Sequence, residues 1–153
     1  MFRHIVGLFW VVSLFAFSAP SWAGVTVIQA LNFGEFIVRN NDSPHTITVN
    51  TGGPYSFSAG FLEINPTAQP GIYDVDGLPA NTAIMSVVIT QTSPLAGSGE
   101  NLQMSAFQET HPASTNGAGV AQIRVGGTAT TSGNGNPYLD QSYTGQLQIQ
   151  INF

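Results

Sequence analysis

The last eight residues, Gln146-Leu147-Gln148-Ile149-Gln150-Ile151-Asn152-Phe153, alternate polar and apolar without a break. Only an extended strand turns such a pattern into two faces, because successive side chains point to opposite sides of a sheet. Leu147, Ile149, Ile151 and Phe153 then share one side, and each stabilises a fold by roughly 1.5–3 kcal/mol when fully buried. A lone strand cannot bury them. The rest of the chain must supply other strands to cover that face, or a partner must.

The same periodicity recurs upstream. Ile47 and Val49 alternate within His45 to Asn50, Tyr73 and Val75 with Asp74 and Asp76, Leu102, Met104 and Ala106 with Gln103, Ser105 and Phe107, and Ile123 and Val125 flank Arg124. Ala83 to Thr90 is apolar almost throughout, as expected of a central strand covered on both faces. Between these runs lie clusters of Gly, Pro, Asn and Ser at residues 50–54, 65–71, 77–81, 93–99, 112–119 and 126–137. Such residues supply or fix the backbone angles of turns. Nowhere do apolar residues recur at i, i+3, i+4 and i+7 over three turns. The reading is an all-β domain, an immunoglobulin-like Greek-key β-sandwich of about seven to eight strands. No linker or repeat of 20–50 residues divides it.

The N-terminus carries a different signal. Arg3 and His4 precede the thirteen-residue apolar run Ile5 to Phe17, followed by Ser21 and Ala23 at small-residue positions. That is the layout of a secretory leader cut before Gly24, and the run is short of the roughly 20 residues a helix needs to cross a bilayer. The expected organisation is a signal peptide over residues 1–23 and one domain over 24–153, exported to the periplasm and then to the cell surface or beyond, with no membrane insertion after cleavage.

Removing 23 of 153 residues leaves 130, with two arginines, eight acidic residues, no lysine and no cysteine. A formal charge of −6 with no basic cluster excludes a nucleic-acid partner, since phosphates must be met by Lys and Arg. The absence of lysine excludes Schiff-base, P-loop and lysine cross-linking chemistry. Without cysteine, an exported domain must rely on its packed core alone.

Other chemistries lack their residues. Asp74-Val75-Asp76-Gly77 opens like a calcium loop, but Leu78 and Met85 stand where later ligands belong. It reads better as a solvent-facing strand end entering an Asp-Gly turn. His45 and His111 are 66 residues apart with no metal-ligand spacing, and each reads as a surface or loop residue. No Gly-x-Ser-x-Gly elbow occurs, Gly97-Ser98-Gly99 reads as loop, and the mature chain has no tryptophan for stacking sugars. No metal, cofactor or enzymatic activity is expected. Asn41-Asp42-Ser43 matches a glycosylation sequon by pattern alone.

Leu31-Asn32-Phe33-Gly34, Gly71-Ile72-Tyr73-Asp74-Val75-Asp76-Gly77-Leu78-Pro79-Ala80-Asn81-Thr82, Ile123-Arg124-Val125-Gly126-Gly127 and Tyr143-Thr144-Gly145 before the alternating terminus form an ordered set. Over Leu31 to Phe153 this set resembles the bacterial family called domain of unknown function 4402, which looks like secreted β-sandwiches of the pilin and spore-coat-protein-U type. The resemblance implies a structural subunit of a surface appendage or coat. Its partners would be like or related subunits, with a periplasmic chaperone and an outer-membrane usher. By that analogy Leu147, Ile149, Ile151 and Phe153 face the chaperone, and Val25 and Val27 belong to a donor strand that completes a neighbour's groove. The chain departs from the best-known pilins in lacking a disulfide, in placing its aromatic last and in a seven-residue extension, Gly24 to Ala30, that spans at most about 24 Å. The alternative is a secreted adhesin or carbohydrate-binding module, with Tyr55, Tyr73 and Tyr138 as its platform.

Overall fold

A computed structural model describes residues 23–153; the leader read over residues 1–23 lies, but for Ala23, outside the described residues. No helix occurs among them, and the domain is all-β, built as packed antiparallel layers in a β-sandwich. Its strands are β1 (Gly24–Gln29), β2 (Glu35–Val38), β3 (Thr46–Val49), β4 (Tyr55–Phe57), β5 (Phe61–Asn65), β6 (Gly71–Asp76), β7 (Ser86–Ala96), β8 (Gln103–Thr110), β9 (Ala121–Thr130) and β10 (Thr144–Asn152). Ten strands replace the seven or eight expected. The surplus lies in β2, β4 and β5, which are three to five residues long. Their apolar residues run together, as Phe36-Ile37-Val38 and Phe61-Leu62, or show a single alternation, as Tyr55-Ser56-Phe57, so they lack the pattern that marks the equally short β3.

β9 organises the larger sheet. Arg124 and Val125 pair with β6 on one edge and β8 on the other, while Thr128 and Ala129 pair with β3 and β8. β6 and β3 therefore lie end to end along one edge of β9, with β8 along the opposite edge. Gly126 and Gly127, read as the start of a turn, instead continue β9 through this junction. A Cβ at Gly126 would stand 2.4 Å from the Val49 carbonyl oxygen, so only glycine lets the end of β3 come so close. β1 joins the far edge of β6, and β4 the far edge of β3.

β7 and β10 form a second sheet, linked to β8 through the hairpin bridge Leu95–Leu102 and the Gln91 carboxamide oxygen, which accepts from the Met104 amide at 2.5 Å. β7 runs on to Ala96 through residues read as a turn, and its pairing with β10 slips around Pro94, which has no amide hydrogen to give. β7 is also not covered on both faces. Val87 is buried but Val88 is 44% exposed, and Met85 just before the strand is 77% exposed. A continuous apolar run cannot by itself say which of its residues face water.

The core holds two clusters. One gathers Phe33, Ile47, Val49, Phe61, Met104 and Ala129, and the other Val75, Ile84, Val87, Ala121, Ile123 and Val125. Leu31, Phe107 and Leu147 touch both. Phe107 reaches the core because β8 holds one residue more than β9 between the pairs Ser105–Thr128 and Gln108–Gly126, with Ala106 at φ 48°. This bulge reverses the inward parity of β8, so that Ala106 is exposed and Phe107 half-buried, opposite to the simple alternation.

Candidate functional site

Followed through their pairings, the strands run β1-β6-β9-β8 and, across the β8–β7 hairpin, on to β7-β10. Every neighbouring pair is antiparallel, so β1 and β10 point in opposite directions. They end the circuit without pairing to each other. Between them lies an apolar groove of about 530 Å³, with Val25 and Val27 on one wall and Leu147 and Ile149 on the other. Leu31, Phe33, Leu95 and Met104 also line it, and no charged side chain does.

The β1 wall has an unusual combination of facing and exposure. Val25 pairs with Val75 and Val27 with Tyr73, and residues directly opposite in an antiparallel pair share a face. Val75 is a buried core residue at 4% exposure, so Val25 and Val27 project to the inner side of the sheet, yet they are 54% and 57% exposed. No strand of the other layer covers them. Ile28 follows as an extra residue, because Val27 pairs with Tyr73 while Gln29 pairs with Ile72. Gln29 is anchored by its carboxamide, which donates to the Pro70 carbonyl at 2.7 Å.

The β10 wall keeps its alternation. Leu147, Ile149 and Ile151 are half-buried and pack against the Val75–Ile123 cluster, while Gln146, Gln148 and Gln150 are exposed. Ile149 pairs with Ile89 and Ile151 with Val87. The fourth residue departs from the set, since Phe153 is 38% exposed and belongs to neither core cluster. One edge of β10 is bonded to β7; the other borders the groove.

The groove continues past Leu31, Phe33, Leu95 and Tyr143 into a wider stretch of about 870 Å³ between β2–β5 and residues 138–143. Ile37, Ile64 and Leu139 are each about half exposed along it, and Glu35 and Asp140 give it an acidic border. Leu31, Phe33, Leu95 and Tyr143 thus link both stretches. Sequence reasoning did not assign them to a site, although Leu31 and Phe33 alternate around Asn32.

The other candidate residues take structural places. Tyr55 lies on β4, Tyr73 on β6 and Tyr138 before β10, so no single platform forms from one element. Each hydroxyl is engaged: Tyr55 donates to Glu63 at 2.5 Å, Tyr73 accepts from the Leu31 amide at 3.2 Å, and Tyr138 donates to the Asn101 carbonyl at 3.0 Å. Asp74 accepts from Gln122 and Asp76 from the Gly24 amide. Among the described residues, no group of three or more His, Cys, Asp and Glu could hold a metal ion, and no helix is long and apolar enough to cross a membrane. Asn41 is only 4% exposed, its side-chain nitrogen donating to Ser132, Asn134 and the Asn136 carbonyl. In the folded domain that nitrogen is not open to glycosylation.

No curated protein and no solved structure matches the chain. Its sequence does match the family model described as Domain of unknown function (DUF4402), across residues 24–153. With the match spanning the whole of the domain built above, the chain belongs to that family.

Proposed function

We propose that this protein is a structural subunit of a bacterial surface appendage or coat, joined to like or related subunits by β-strand complementation. The observation that carries the reading is the inner facing of Val25 and Val27 despite exposure above half, beside the unpaired edge of β10. An extended segment laid between β1 and β10 would cover these side chains together with Leu147 and Ile149, and would find main-chain partners along a strand edge. Since β1 and β10 are antiparallel, the inserted strand runs parallel to one and antiparallel to the other. An uncharged lining calls for an apolar, alternating strand.

Within this chain β1 suits the donor role. It pairs along one edge only and exposes Val25, Val27 and Ile28. When β1 leaves, it gives up the ladder that pairs Gly24–Val27 with Asp76–Tyr73, the groove of its own subunit then runs from β6 to β10, and entering a neighbour's groove buries its valines. A periplasmic chaperone would hold the same groove before assembly, with an usher at the outer membrane, by the resemblance to secreted pilin-like domains.

Cysteine introduced into a cysteine-free chain tests this directly. Val27→Cys and Ile149→Cys are made in separate molecules, mixed under assembly conditions and oxidised, so that any disulfide is intermolecular. A mixed disulfide well above that of a Val27→Cys and Gln148→Cys control supports donor-strand exchange. Equal yields, or none, would overturn it. Deleting residues 147–153 should also abolish stable accumulation outside the cytoplasm, and genes beside this one should encode a chaperone and an usher.

A further inference from the structure

Gly24 occupies the end of β1 opposite Asp76, and its backbone nitrogen lies 3.0 Å from the Asp76 carboxylate. A Cβ at residue 24 would stand 2.4 Å from that same oxygen, so a larger residue would push the Asp76 carboxylate aside from this contact. We propose that removal of the leader converts this contact into an ionic clasp that holds β1 on its own β6. Hydrolysis of the Ala23–Gly24 peptide bond gives the hydroxyl of water to the Ala23 carbonyl carbon and its proton to the Gly24 nitrogen, and ionisation of the new Ala23 carboxylic acid supplies the second proton that makes this nitrogen an ammonium. A neutral amide donor becomes an ammonium already within hydrogen-bonding distance of a carboxylate. Charge-assisted hydrogen bonds are roughly twice as strong as neutral ones.

The inference deepens the assembly reading, since it names what restrains the donor strand, and it rests on a leader cut before Gly24. Apart from the ladder that pairs Gly24–Val27 with Asp76–Tyr73, little restrains the outer half of β1, where Val25, Thr26, Val27 and Ile28 are all exposed. Asp74, the other acid on β6, is engaged by Gln122 at 2.9 Å, so Asp76 is the carboxylate that meets the new terminus. Added to the ladder with β6, such a surface pair secures the strand in the monomer and is given up when a neighbour offers its groove.

The test uses the mature domain with three N-termini: free Gly24, Nα-acetylated Gly24 and one added methionine before Gly24. Each is made with Asp76 and with Asp76→Asn, and hydrogen exchange is read at the β1 amides. The free Gly24 form should protect those amides about 1.4- to fivefold more than either modified form, the range for an exposed ion pair. Asp76→Asn should erase the difference. Equal protection among the three termini, or a difference that survives Asp76→Asn, would overturn the clasp. Mass spectrometry of the exported protein separately reads the cleavage point, and the mixed-disulfide assay above reads strand exchange. Failure of either reading is therefore distinguishable from failure of the clasp.

Discussion

Ile149 and Gln148 are neighbours on β10 whose side chains meet opposite surroundings, so giving each the same charge isolates the effect of facing. Ile149 pairs with Ile89 and packs on the cluster around Ile123, whereas Gln148 pairs with Thr90 and both are exposed. Ile149→Asp removes a half-buried aliphatic chain, losing about 0.7–1.5 kcal/mol as half the value of full burial. Setting a carboxylate among apolar neighbours without a partner adds about 1–3 kcal/mol. The sum is about 2–4 kcal/mol. Gln148→Asp should stay within about 0.5 kcal/mol, as exposed substitutions do.

Thermal unfolding of the domain over residues 24–153 reads the contrast. For a domain of this size 1 kcal/mol shifts Tm by about 3–5 °C, so Ile149→Asp should lower it by about 6–20 °C and Gln148→Asp by less than about 3 °C. The loss should also shrink in acid. Desolvation raises the folded-state pKa of the introduced carboxyl above its unfolded value. The penalty is then full above the folded pKa and disappears as pH falls below the unfolded one. Equal losses for the two variants, or a larger loss for Gln148→Asp, would refute the assignment of faces on β10.

Gly126→Ala should cost about 2 kcal/mol or more, because the clashing atoms at Val49 and Thr51 are backbone and cannot swing aside, while Gly52→Ala, whose nearest neighbour would be Pro54 at 3.7 Å, should be neutral or stabilising in the same denaturant titration. Asn41→Ala should cost about 1–2 kcal/mol by chemical denaturation, since it removes the buried side chain whose oxygen accepts from the half-buried Gly133 amide at 2.8 Å. Hydrogen bonds from Asn134, Asn136 and Ser132 hold the Glu100 carboxyl below its ordinary range. The stability this confers is present above the unfolded pKa and is lost as pH falls through the folded one, so Glu100→Gln should flatten the acid limb of a stability-against-pH curve.

Strands whose apolar residues alternate toward one dry face were legible in the sequence, even the four-residue β3, and features that depend on a neighbour's position were not. Ile47, Val49, Ile123 and Val125 alternate and are all buried, as the pattern requires. Phe107 was misplaced because a bulge shifts parity by one residue, and Ala106, a residue that rarely takes positive φ, gives no local sign of it. Gly126 and Gly127 looked like a turn, but a glycine pair also serves where two strands meet on one edge. At the candidate site, the apolar sets on β1 and β10 were visible separately as Val25 and Val27 and as Leu147 and Ile149. Their placement on opposite walls of one groove was not, because it depends on β1 joining β6 across 42 or more intervening residues.

The groove between β1 and β10 is a property the fold maintains, and Ile28 shows how. Of eleven large apolar side chains exposed among the described residues, Val25, Val27, Ile37, Ile64 and Leu139 line its two stretches, a concentration that scattered surface residues would not give. Direction does not forbid closure, since β1 and β10 are antiparallel and such strands can pair. Register on β1 does work against it. The extra residue at Ile28 bends the strand and interrupts its ladder with β6 between Val27 and Gln29, so Gly24–Val27 form a short ladder of their own rather than part of one continuous edge strand. Deleting Ile28 would bring Val27 and Gln29 into consecutive pairing with Tyr73 and Ile72 while leaving Val25 and Val27 on their present face. The β1 amides should then exchange more slowly, and the Val27–Ile149 mixed disulfide between molecules should fall severalfold if β1 is the donor proposed above, because it leaves β6 less readily. A deletion variant that folds, protects β1 more strongly and still exchanges at the original yield would separate the groove from this strand and assign it to another donor.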